Sequence, residues 1–428
     1  MLKALNEKII KRAKEREKDL FKLCAQLIRA GGENPPGDVS EAANTVEHFL
    51  ETEGIKHWRF EPEKGHASII STVGKGKPTL ILCGHIDVVP AGDLKNWAFD
   101  PYCGEIRDGK ILGRGATDMK GGVAAMLMAS TILKEFENQF GGTAVFANVS
   151  DEETQRAGCG AVGLLQEQRL HGDACLITEP SGYLDLGYQI VAGERGVCWL
   201  KIVAQGKPAH GSTPVMGENA ILRLMEEVPK LKLLEKHAVK TPTDALPLVQ
   251  NGKKILRKVA KNRGVSRQEL AKSLDHYTVN LGIIQGGTKV NVVPEKCEAE
   301  VDIRVPAGGN IKGVEEFLRN SLAEHTKFQV VNGIAPSYTP ASEKLIEIVQ
   351  THAKKVFGYK PPAIYMVATS DAHWFREFLG IPTIAFGPGY GEMGHAYNEF
   401  VYAEDVMKMA IVYANVIVDY LTGGKMKH

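Results

Sequence analysis

Hydrophobic residues follow two different spacings along the first part of the chain. Apolar residues at helical spacing predict a long helix over 3–30, which ends at the glycine pair Gly31 and Gly32. Short apolar runs then predict strands, and helical patterns lie between them. The predicted strands are 67–73, 79–83, 143–149 and 174–178, and the predicted helices are 41–53, 121–137 and 161–168. Strands that alternate with helices indicate a largely parallel sheet with helices on both faces.

The pattern changes after Gly182. Two long stretches alternate apolar and polar residues, and two helical patterns accompany them. The strands are predicted over 193–205 and 276–305, and the helices over 218–228 and 311–324. Helices that face an antiparallel sheet form an α+β unit, so we place a ferredoxin-like insert at 190–325. Its polar stretch, 231–275, is predicted to add further helices.

The alternation of helices and strands resumes near residue 338. The predicted elements are helices over 342–357, 371–378 and 403–421 and a strand over 383–386. The residues on either side of the insert therefore form one discontinuous α/β domain, 1–189 and 326–428. Two domains also suit the length of 428 residues, because single domains usually have about 100–200 residues.

The charge balance excludes some partners. A formal net charge of +1 gives no indication of a nucleic-acid or anionic-membrane partner. The sequence has no apolar run of about 18 residues that could span a membrane, and charged residues occupy the N-terminus where a signal peptide would be apolar. We therefore expect neither nucleic acid nor a membrane as a partner.

The cysteines indicate a reducing compartment. There are seven, an odd number, and they are scattered without a CxxC pair. This usage favours reduced thiols over a disulfide framework or a thiolate zinc site. We therefore expect a cytoplasmic protein.

Four predicted strands end in acidic or imidazole groups. These strand ends read LILCGHID, AVFANVSDEE, CLITEP and TIAFGPG, the last followed by MGHAYNEF. The carboxyl ends of parallel strands meet at one edge of a sheet, where α/β folds bind ligands. A lone histidine or an acidic pair after a strand is more often a helix cap or a solvated loop, but repetition across four strands indicates a site.

The chain offers five metal ligands of the N/O type around this edge. They are His85, Asp118, Glu153, Glu179 and His395. Two zinc ions about 3.5–4 Å apart need a bridging carboxylate and roughly two further ligands each, which this set can supply. Taken singly, Asp118 can be a helix N-cap and Glu153 can complement a helix dipole. Glu152 is then free to act as a general base, and Asp87 can orient the imidazole of His85.

The motifs resemble a known family. GHIDVVP, GRGATDMKGG, SDEE, TEPSG, AHGSTP and the GH pair at 394–395 resemble the M20 family of co-catalytic zinc aminoacylases and peptidases, in particular its acetylornithine deacetylase and succinyl-diaminopimelate desuccinylase branch. The motifs span essentially the whole chain in the family's order. The resemblance implies a zinc-exopeptidase-like catalytic domain with two Zn²⁺ ions. Co²⁺ or Mn²⁺ can substitute at such N/O ligands.

The resemblance also implies roles for individual residues. His85 and Glu179 would hold one zinc, Glu153 and His395 the other, and Asp118 would bridge them. Glu152 would be the general base and Asp87 the partner of His85. The insert would act as a lid and form a homodimer, in which His210 reaches the partner subunit's active site to stabilise the oxyanion. The expected substrate-binding residues are Arg195, Asn291, Arg304, Thr369 and Ser370.

Two residues have competing interpretations. Arg304 can hold the substrate carboxylate or form a structural ion pair, because Glu298, Glu300 and Asp302 alternate just before it. His373 is a tempting sixth ligand, but it lies inside an apparent amphipathic helix, which favours a packing role.

The expected function is hydrolysis of the amide bond of an N-acyl amino acid, with an acetyl or succinyl acyl group. The resemblance implies that deacylases have glutamate at the position of Glu179, whereas peptidase branches have aspartate. A metallo-carboxypeptidase or dipeptidase on the same scaffold is the alternative. A non-catalytic binding protein is a third reading, against which the intact set of ligands and base argues.

Overall fold

The structure of the protein is a computed structural model, which describes residues 2–154, 156 and 158–423. It divides into two compact units. The first unit comprises Met1–Ala192, Thr339–Ala363 and Ser370–His428, and the second comprises Gly193–Tyr338 and Ile364–Thr369. The second unit contains the predicted insert from residue 193 onward and continues beyond residue 325.

Helices and strands cover most of the described residues. The α-helices are α1 Leu2–Glu15, α2 Glu17–Arg29, α3 Ser40–Thr52, α4 Gly121–Glu135, α5 Gly160–Gln166, α6 Ala220–Lys232, α7 Leu246–Arg263, α8 Arg267–Lys272, α9 Ile311–Ser321, α10 Lys344–Phe357, α11 Ala372–Trp374 and α12 Ala403–Thr422. The strands are β1 His57–Phe60, β2 Ser68–Lys75, β3 Thr79–His85, β4 Ile106–Arg107, β5 Lys110–Leu112, β6 Gly142–Val149, β7 Ala174–Tyr183, β8 Gly187–Tyr188, β9 Ile190–Glu194, β10 Gly196–Gln205, β11 Thr278–Gly286, β12 Lys296–Val305, β13 Thr326–Ile334, β14 Ser337–Tyr338, β15 Ala363–Met366, β16 Thr383–Tyr390 and β17 Phe400–Tyr402.

The main sheet of the first unit confirms the predicted α/β fold. Its strands follow the order β1-β2-β6-β3-β7-β16-β9. The four neighbouring strands β6, β3, β7 and β16 run parallel, and antiparallel strands flank them. After its first residue β3 is buried throughout, as expected for a parallel strand covered on both faces. Helix α4 packs against these strands and against α12 and α2, and every residue from Gly121 to Leu133 is buried.

The long N-terminal helix predicted over 3–30 is wrong in one respect. The structure has two helices, α1 and α2, which are separated by Arg16 with φ −95° and ψ 11°. The Arg16 guanidinium pairs with Asp19 and Glu53. The apolar residues keep their helical spacing across this break, so the pattern alone could not reveal it.

The second unit has its own sheet and core. Four antiparallel strands follow the order β11-β12-β10-β13, and helices α6 and α9 pack against them. Its buried core includes Leu200 and Ile202 of β10 and Val301 and Ile303 of β12. The polar stretch 231–275 contains α7 and α8, which pack against each other. Within the described residues, no helix has both the length and the apolar character that a membrane span needs.

Candidate metal centre

The four parallel strands of the first unit bring the predicted ligands to one edge. His85 is the last residue of β3, and it lies opposite Val149, the last residue of β6. On the other side β3 pairs with β7, with Cys83 opposite Ile177. Two residues further along these strands, His85 and Glu179 become neighbours. The register therefore fixes which side chains meet.

Two groups of potential ligands share one carboxylate. His85, Asp118 and Glu179 form the first group, and Asp118, Glu153 and His395 form the second. His85 Nε2 lies 3.1 Å from Asp118 Oδ1 and 3.7 Å from Glu179 Oε1. His395 Nε2 lies 3.3 Å from Asp118 Oδ2 and 3.2 Å from Glu153 Oε1. The two oxygens of Asp118 thus face different histidines, as a bridging carboxylate requires.

The spacing of these atoms suits metal ions. Ligands at about 2.0–2.1 Å from a tetrahedral zinc ion are about 3.3 Å from one another. The four measured separations, 3.1, 3.2, 3.3 and 3.7 Å, lie close to that value. All donors are imidazole nitrogens or carboxylate oxygens, which suit Zn²⁺ and also Co²⁺ or Mn²⁺. These residues therefore fit a pair of divalent ions.

The charges of the group agree with this fit. Burial lowers the pKa of His85, but hydrogen bonds to Asp118 and Asp87 outweigh it and raise the pKa well above its usual value. Hydrogen bonds to Asp118 and Glu153 raise the pKa of His395 to about 10. Burial, followed by the charge of Asp118, raises the pKa of Glu179. The carboxylates thus favour the protonated form of the two histidines. A histidine binds a metal ion in its neutral form, so bound cations would replace these protons.

Asp118 is held in place from two directions. It lies just before α4. A Cβ on Gly122, in the first turn of α4, would lie 2.2 Å from the carbonyl oxygen of Thr178 in β7, so only glycine lets α4 approach β7 this closely. The carboxylate of Glu399 accepts hydrogen bonds from the backbone N–H groups of Thr117 at 2.9 Å and Asp118 at 3.1 Å. The carboxylate shared by the two groups is therefore fixed by residues distant in sequence.

Arg114 connects this support to the second histidine. Its Nη1 donates to Glu399 Oε2 at 2.6 Å and to the carbonyl oxygen of Ala396 at 3.1 Å, and its Nη2 donates to the carbonyl oxygen of His395 at 3.3 Å. Both charged side chains are buried. Sequence reasoning missed the pair, although Arg114 lies inside the GRGATDMKGG motif and Glu399 follows the GH motif.

Asp87 contacts His85 through both its main chain and its carboxylate. Nδ1 of His85 lies 2.9 Å from the main-chain oxygen of Asp87 and 3.5 Å from its carboxylate, so the main chain makes the closer contact. The carboxylate accepts from the backbone N–H groups of Glu152 at 3.4 Å and Glu153 at 3.2 Å. Asp87 therefore joins the strand end that carries His85 to the turn that carries the acidic pair.

Glu152 lies beside the ligands and keeps its carboxylate free. Among the described residues, none forms a hydrogen bond or an ion pair with that carboxylate. Burial, followed by the charge of Glu179, raises the pKa of Glu152 well above its usual value. A carboxylate with increased proton affinity and no partner can exchange a proton with a reacting molecule.

Ser370, predicted to bind substrate, belongs to the first unit. Its Oγ accepts from the backbone N–H of Ala372 at 3.3 Å, and its carbonyl oxygen lies 2.9 Å from Nδ1 of His373. His373 is not part of either ligand group among the described residues, and its buried ring packs against Trp374 with ring centroids 3.8 Å apart.

The other predicted site residues belong to the second unit, where they form two groups. Arg195 Nη2 donates to the carbonyl oxygen of Arg304 at 2.8 Å, and Thr369 Oγ1 donates to the carbonyl oxygen of Arg195 at 2.7 Å. Arg304 Nε bonds Asp302 at 3.1 Å, which is the ion pair considered as its alternative role. The second group joins the exposed His210 to Asn291 through the neighbouring Gly211, whose N–H donates to the Asn291 carbonyl oxygen at 2.8 Å.

A family model provides the decisive comparison. The model described as Peptidase family M20/M25/M40 matches residues 81–419. The chain belongs to this family. Members of the M20 family are metal-dependent hydrolases that act on amide bonds, so the protein is an M20-family hydrolase.

Individual relatives extend the M20 comparison over most of the chain. A Staphylococcus aureus (strain N315) protein named "Probable succinyl-diaminopimelate desuccinylase" is 28% identical over 422 residues, which cover 95% of this chain and 98% of the relative. An M20-family metallo-carboxypeptidase from Sulfolobus solfataricus has a TM-score of 0.80 at 20% identity and covers 94% of this chain and 99% of its own. A dinuclear metal-binding M20 peptidase from Bacillus subtilis has a TM-score of 0.62 at 16% identity, covering 95% and 99%. These likenesses agree in fold.

Proposed function

We propose that the protein is a dizinc amidohydrolase that cleaves the amide bond of an N-acyl amino acid with an acetyl or succinyl acyl group. The observation that carries this proposal is the pair of candidate ligand groups that share Asp118, beside which the carboxylate of Glu152 has no partner among the described residues. A structural role alone does not require two histidines to approach opposite oxygens of one carboxylate.

His85 and Glu179 would hold one ion, and Glu153 and His395 would hold the other. Asp118 would contact both ions through its two oxygens. When bound, such a pair of divalent ions polarises the amide carbonyl and makes the attacking water more acidic. Zinc is the proposed metal, and Co²⁺ and Mn²⁺ are possible substitutes at N/O ligands.

Glu152 would be the general base. Its carboxylate takes a proton from the attacking water and returns it to the nitrogen of the leaving amine, so that one group serves both proton transfers. Burial, followed by the charge of Glu179, raises the pKa of Glu152 above its usual value, which increases its affinity for the transferred proton. The carboxylate of Asp87 supports the position of Glu152 by accepting hydrogen bonds from the backbone N–H groups of Glu152 and Glu153.

Two arguments favour a deacylase. The relative from Staphylococcus aureus, which matches along 95% of this chain, carries the name of a desuccinylase. Glu179 is the residue expected of deacylases at its ligand position. The alternative is a metallo-carboxypeptidase or dipeptidase, because solved structures with these names share the fold of this chain.

The second unit would contribute donors and a dimer interface. Nδ1 of His210 accepts a hydrogen bond from the backbone N–H of Ser212 at 3.1 Å, so the ring proton lies on Nε2, where it can stabilise an oxyanion in the partner subunit. Arg195, Asn291, Arg304, Thr369 and, from the first unit, Ser370 would bind the substrate.

Two further expectations concern the assembly and its compartment. The exposed Leu222 and Met225 of α6 and Ile283 and Ile284 of β11 support a homodimer through the second unit. All seven cysteines are free, which supports a reducing compartment such as the cytoplasm.

A substrate panel with Zn²⁺ or Co²⁺ tests the proposal. We expect the wild type to cleave N-acetyl or N-succinyl amino acids in preference to dipeptides. Glu152→Gln should lower kcat by about 10²–10⁴, the usual contribution of acid–base catalysis, while two ions still bind. The control is Glu404→Gln, at an exposed position of α12. Preferential cleavage of dipeptides would establish the alternative, and a fully active Glu152→Gln would remove Glu152 as the base.

A further inference from the structure

A buried asparagine connects two acidic residues behind the candidate metal centre. Asn34 begins the NPPG segment and is 2% exposed. Its Nδ2 donates to Asp87 Oδ2 at 2.9 Å and to Asp151 Oδ1 at 3.3 Å. Both carboxylates are buried and can only accept hydrogen bonds. One amide group thus supplies a donor to each of two neighbouring negative charges.

Each of these carboxylates is linked to the residues proposed for chemistry. The Asp87 carboxylate accepts hydrogen bonds from the backbone N–H groups of Glu152 and Glu153, and the Asp87 main-chain oxygen contacts Nδ1 of His85. Asp151 directly precedes Glu152, and it also contacts Nδ1 of His66 at 2.8 Å. Asn34 therefore lies where the strand end carrying His85 meets the turn carrying the base and Glu153.

The main chain and the side-chain oxygen of Asn34 are also held. Its backbone N–H donates to the carbonyl oxygen of Val88 at 2.8 Å, which attaches it to the chain just beyond Asp87. Its Oδ1 accepts from Thr154 Oγ1 at 3.2 Å. With the amide rotated by half a turn, the oxygen would face two carboxylates, so the network allows one orientation.

We propose that Asn34 is a positioning residue that fixes the Glu152–Glu153 turn relative to His85, and so sets the spacing between the general base and the ligands of both ions. The inference rests on the proposed function for its catalytic meaning. Asn34 forms no hydrogen bond with a proposed ligand side chain or with the Glu152 carboxylate among the described residues, and it acts through Asp87 and Asp151. Loss of such supporting groups typically lowers metal affinity or activity 10–100-fold.

The first measurement uses the metal-free protein, so it does not depend on the proposed function. Amide hydrogen exchange is followed in peptides that contain residues 152 and 153. We expect Asn34→Ala to accelerate this exchange at least about tenfold, because the carboxylate that accepts both N–H groups loses its buried donor. Exchange in the second unit should stay unchanged.

The second measurement is metal affinity, obtained by competition with a chelating dye at a temperature well below the unfolding transition. Asn34→Ala should bind two Zn²⁺ ions 10–100-fold more weakly than the wild type. The expected effect on turnover is a similar fall in kcat with a smaller change in KM, because the substrate contacts remain.

Asn415→Ala is the matched control. Asn415 belongs to the same unit, is also 2% exposed, and donates one hydrogen bond to the carbonyl oxygen of Ile411. Its loss should lower the unfolding temperature without changing the exchange of 152–153 or the metal affinity. A general loss of stability is thereby separated from a specific loss of positioning.

Thr154 provides a second test in case Asn34→Ala does not fold. Thr154 is exposed, and Thr154→Val removes the hydroxyl that orients the Asn34 amide, whereas Thr154→Ser keeps a hydroxyl. We expect faster exchange at 152–153 in Thr154→Val than in Thr154→Ser. Equal exchange in both, or wild-type exchange and metal affinity in a folded Asn34→Ala, would overturn the inference. A wild type that binds no divalent ion would refute the proposed function instead, and the exchange data would still decide on Asn34.

Discussion

Lowering the pH should destabilise the first unit through His373. Its ring is buried, Nδ1–H donates to the carbonyl oxygen of Ser370 at 2.9 Å, and Nε2 has no hydrogen-bond partner among the described residues. Burial lowers the pKa of His373 to about 4, and the charge of Arg376 acts in the same direction. A proton on Nε2 would therefore bury a positive charge that has no hydrogen-bond acceptor among the described residues.

The sign and size of the effect follow from the two pKa values. Below pH 6.5 the unfolded chain takes up a proton that the folded protein does not take up until about pH 4. The contribution to stability is therefore complete above pH 6.5 and is lost as the pH falls towards 4. Between pH 7.5 and 5.0 the free energy of unfolding should fall by about 2 kcal/mol from this residue.

Urea unfolding of the metal-free protein at both pH values measures the effect. His373→Asn keeps a donor for the Ser370 carbonyl oxygen but does not titrate, so the wild type should lose about 2 kcal/mol more than this variant. Other groups titrate equally in both proteins and cancel in the difference. His171→Asn, at an exposed position, should behave like the wild type. If the wild type and His373→Asn lose the same free energy, the burial argument is refuted.

Two further predictions concern the candidate metal centre. Hydrogen bonds to Asp118 and Glu153 raise the pKa of His395 to about 10, so metal binding at pH 7 should release protons and should strengthen as the pH rises. Titration calorimetry in buffers of different ionisation heat measures this proton release. Equal observed heats in all buffers would contradict the prediction. Arg114→Lys keeps the positive charge, but the ammonium group of lysine cannot contact Glu399 and the carbonyl oxygens of Ala396 and His395 at once. The affinity for two metal ions should therefore fall about 10–100-fold. An unchanged affinity would show that Arg114 does not support the site.

The sequence pattern predicted the parallel strands and the residues at their ends for one reason. A continuous apolar run such as that of β3 predicts a buried strand, and the next polar residue then lies at the edge of the sheet. His85, the last residue of β3, follows this rule directly, and Glu179 lies in β7 two residues beyond the last pair that β7 forms with β3. Asp118 does not end a strand, and it was found through the family motif and its position before a helix.

The supporting contacts could not be read from the pattern. Arg114 and Glu399 are 285 residues apart in sequence, and Asn34 and Asp151 are 117 apart. No periodicity links such pairs, because they meet only when the whole unit has folded. The strands β4, β8 and β14 have two residues each, too few for any alternation to appear. The break at Arg16 leaves the helical spacing intact and was invisible for that reason.

The order of strands in the first unit has a consequence for biosynthesis. Strands β3, β6 and β7 precede the second unit in sequence, whereas their neighbour β16 and the helix α12 follow it. During synthesis, β7 cannot pair with β16 until about 200 further residues have been made, which takes roughly 10–40 s at usual rates of synthesis. The second unit is continuous apart from Ile364–Thr369 and can fold during that interval. The unfinished sheet then exposes apolar surface that a chaperone can cover, and His395, proposed as a metal ligand, is synthesised only after the second unit.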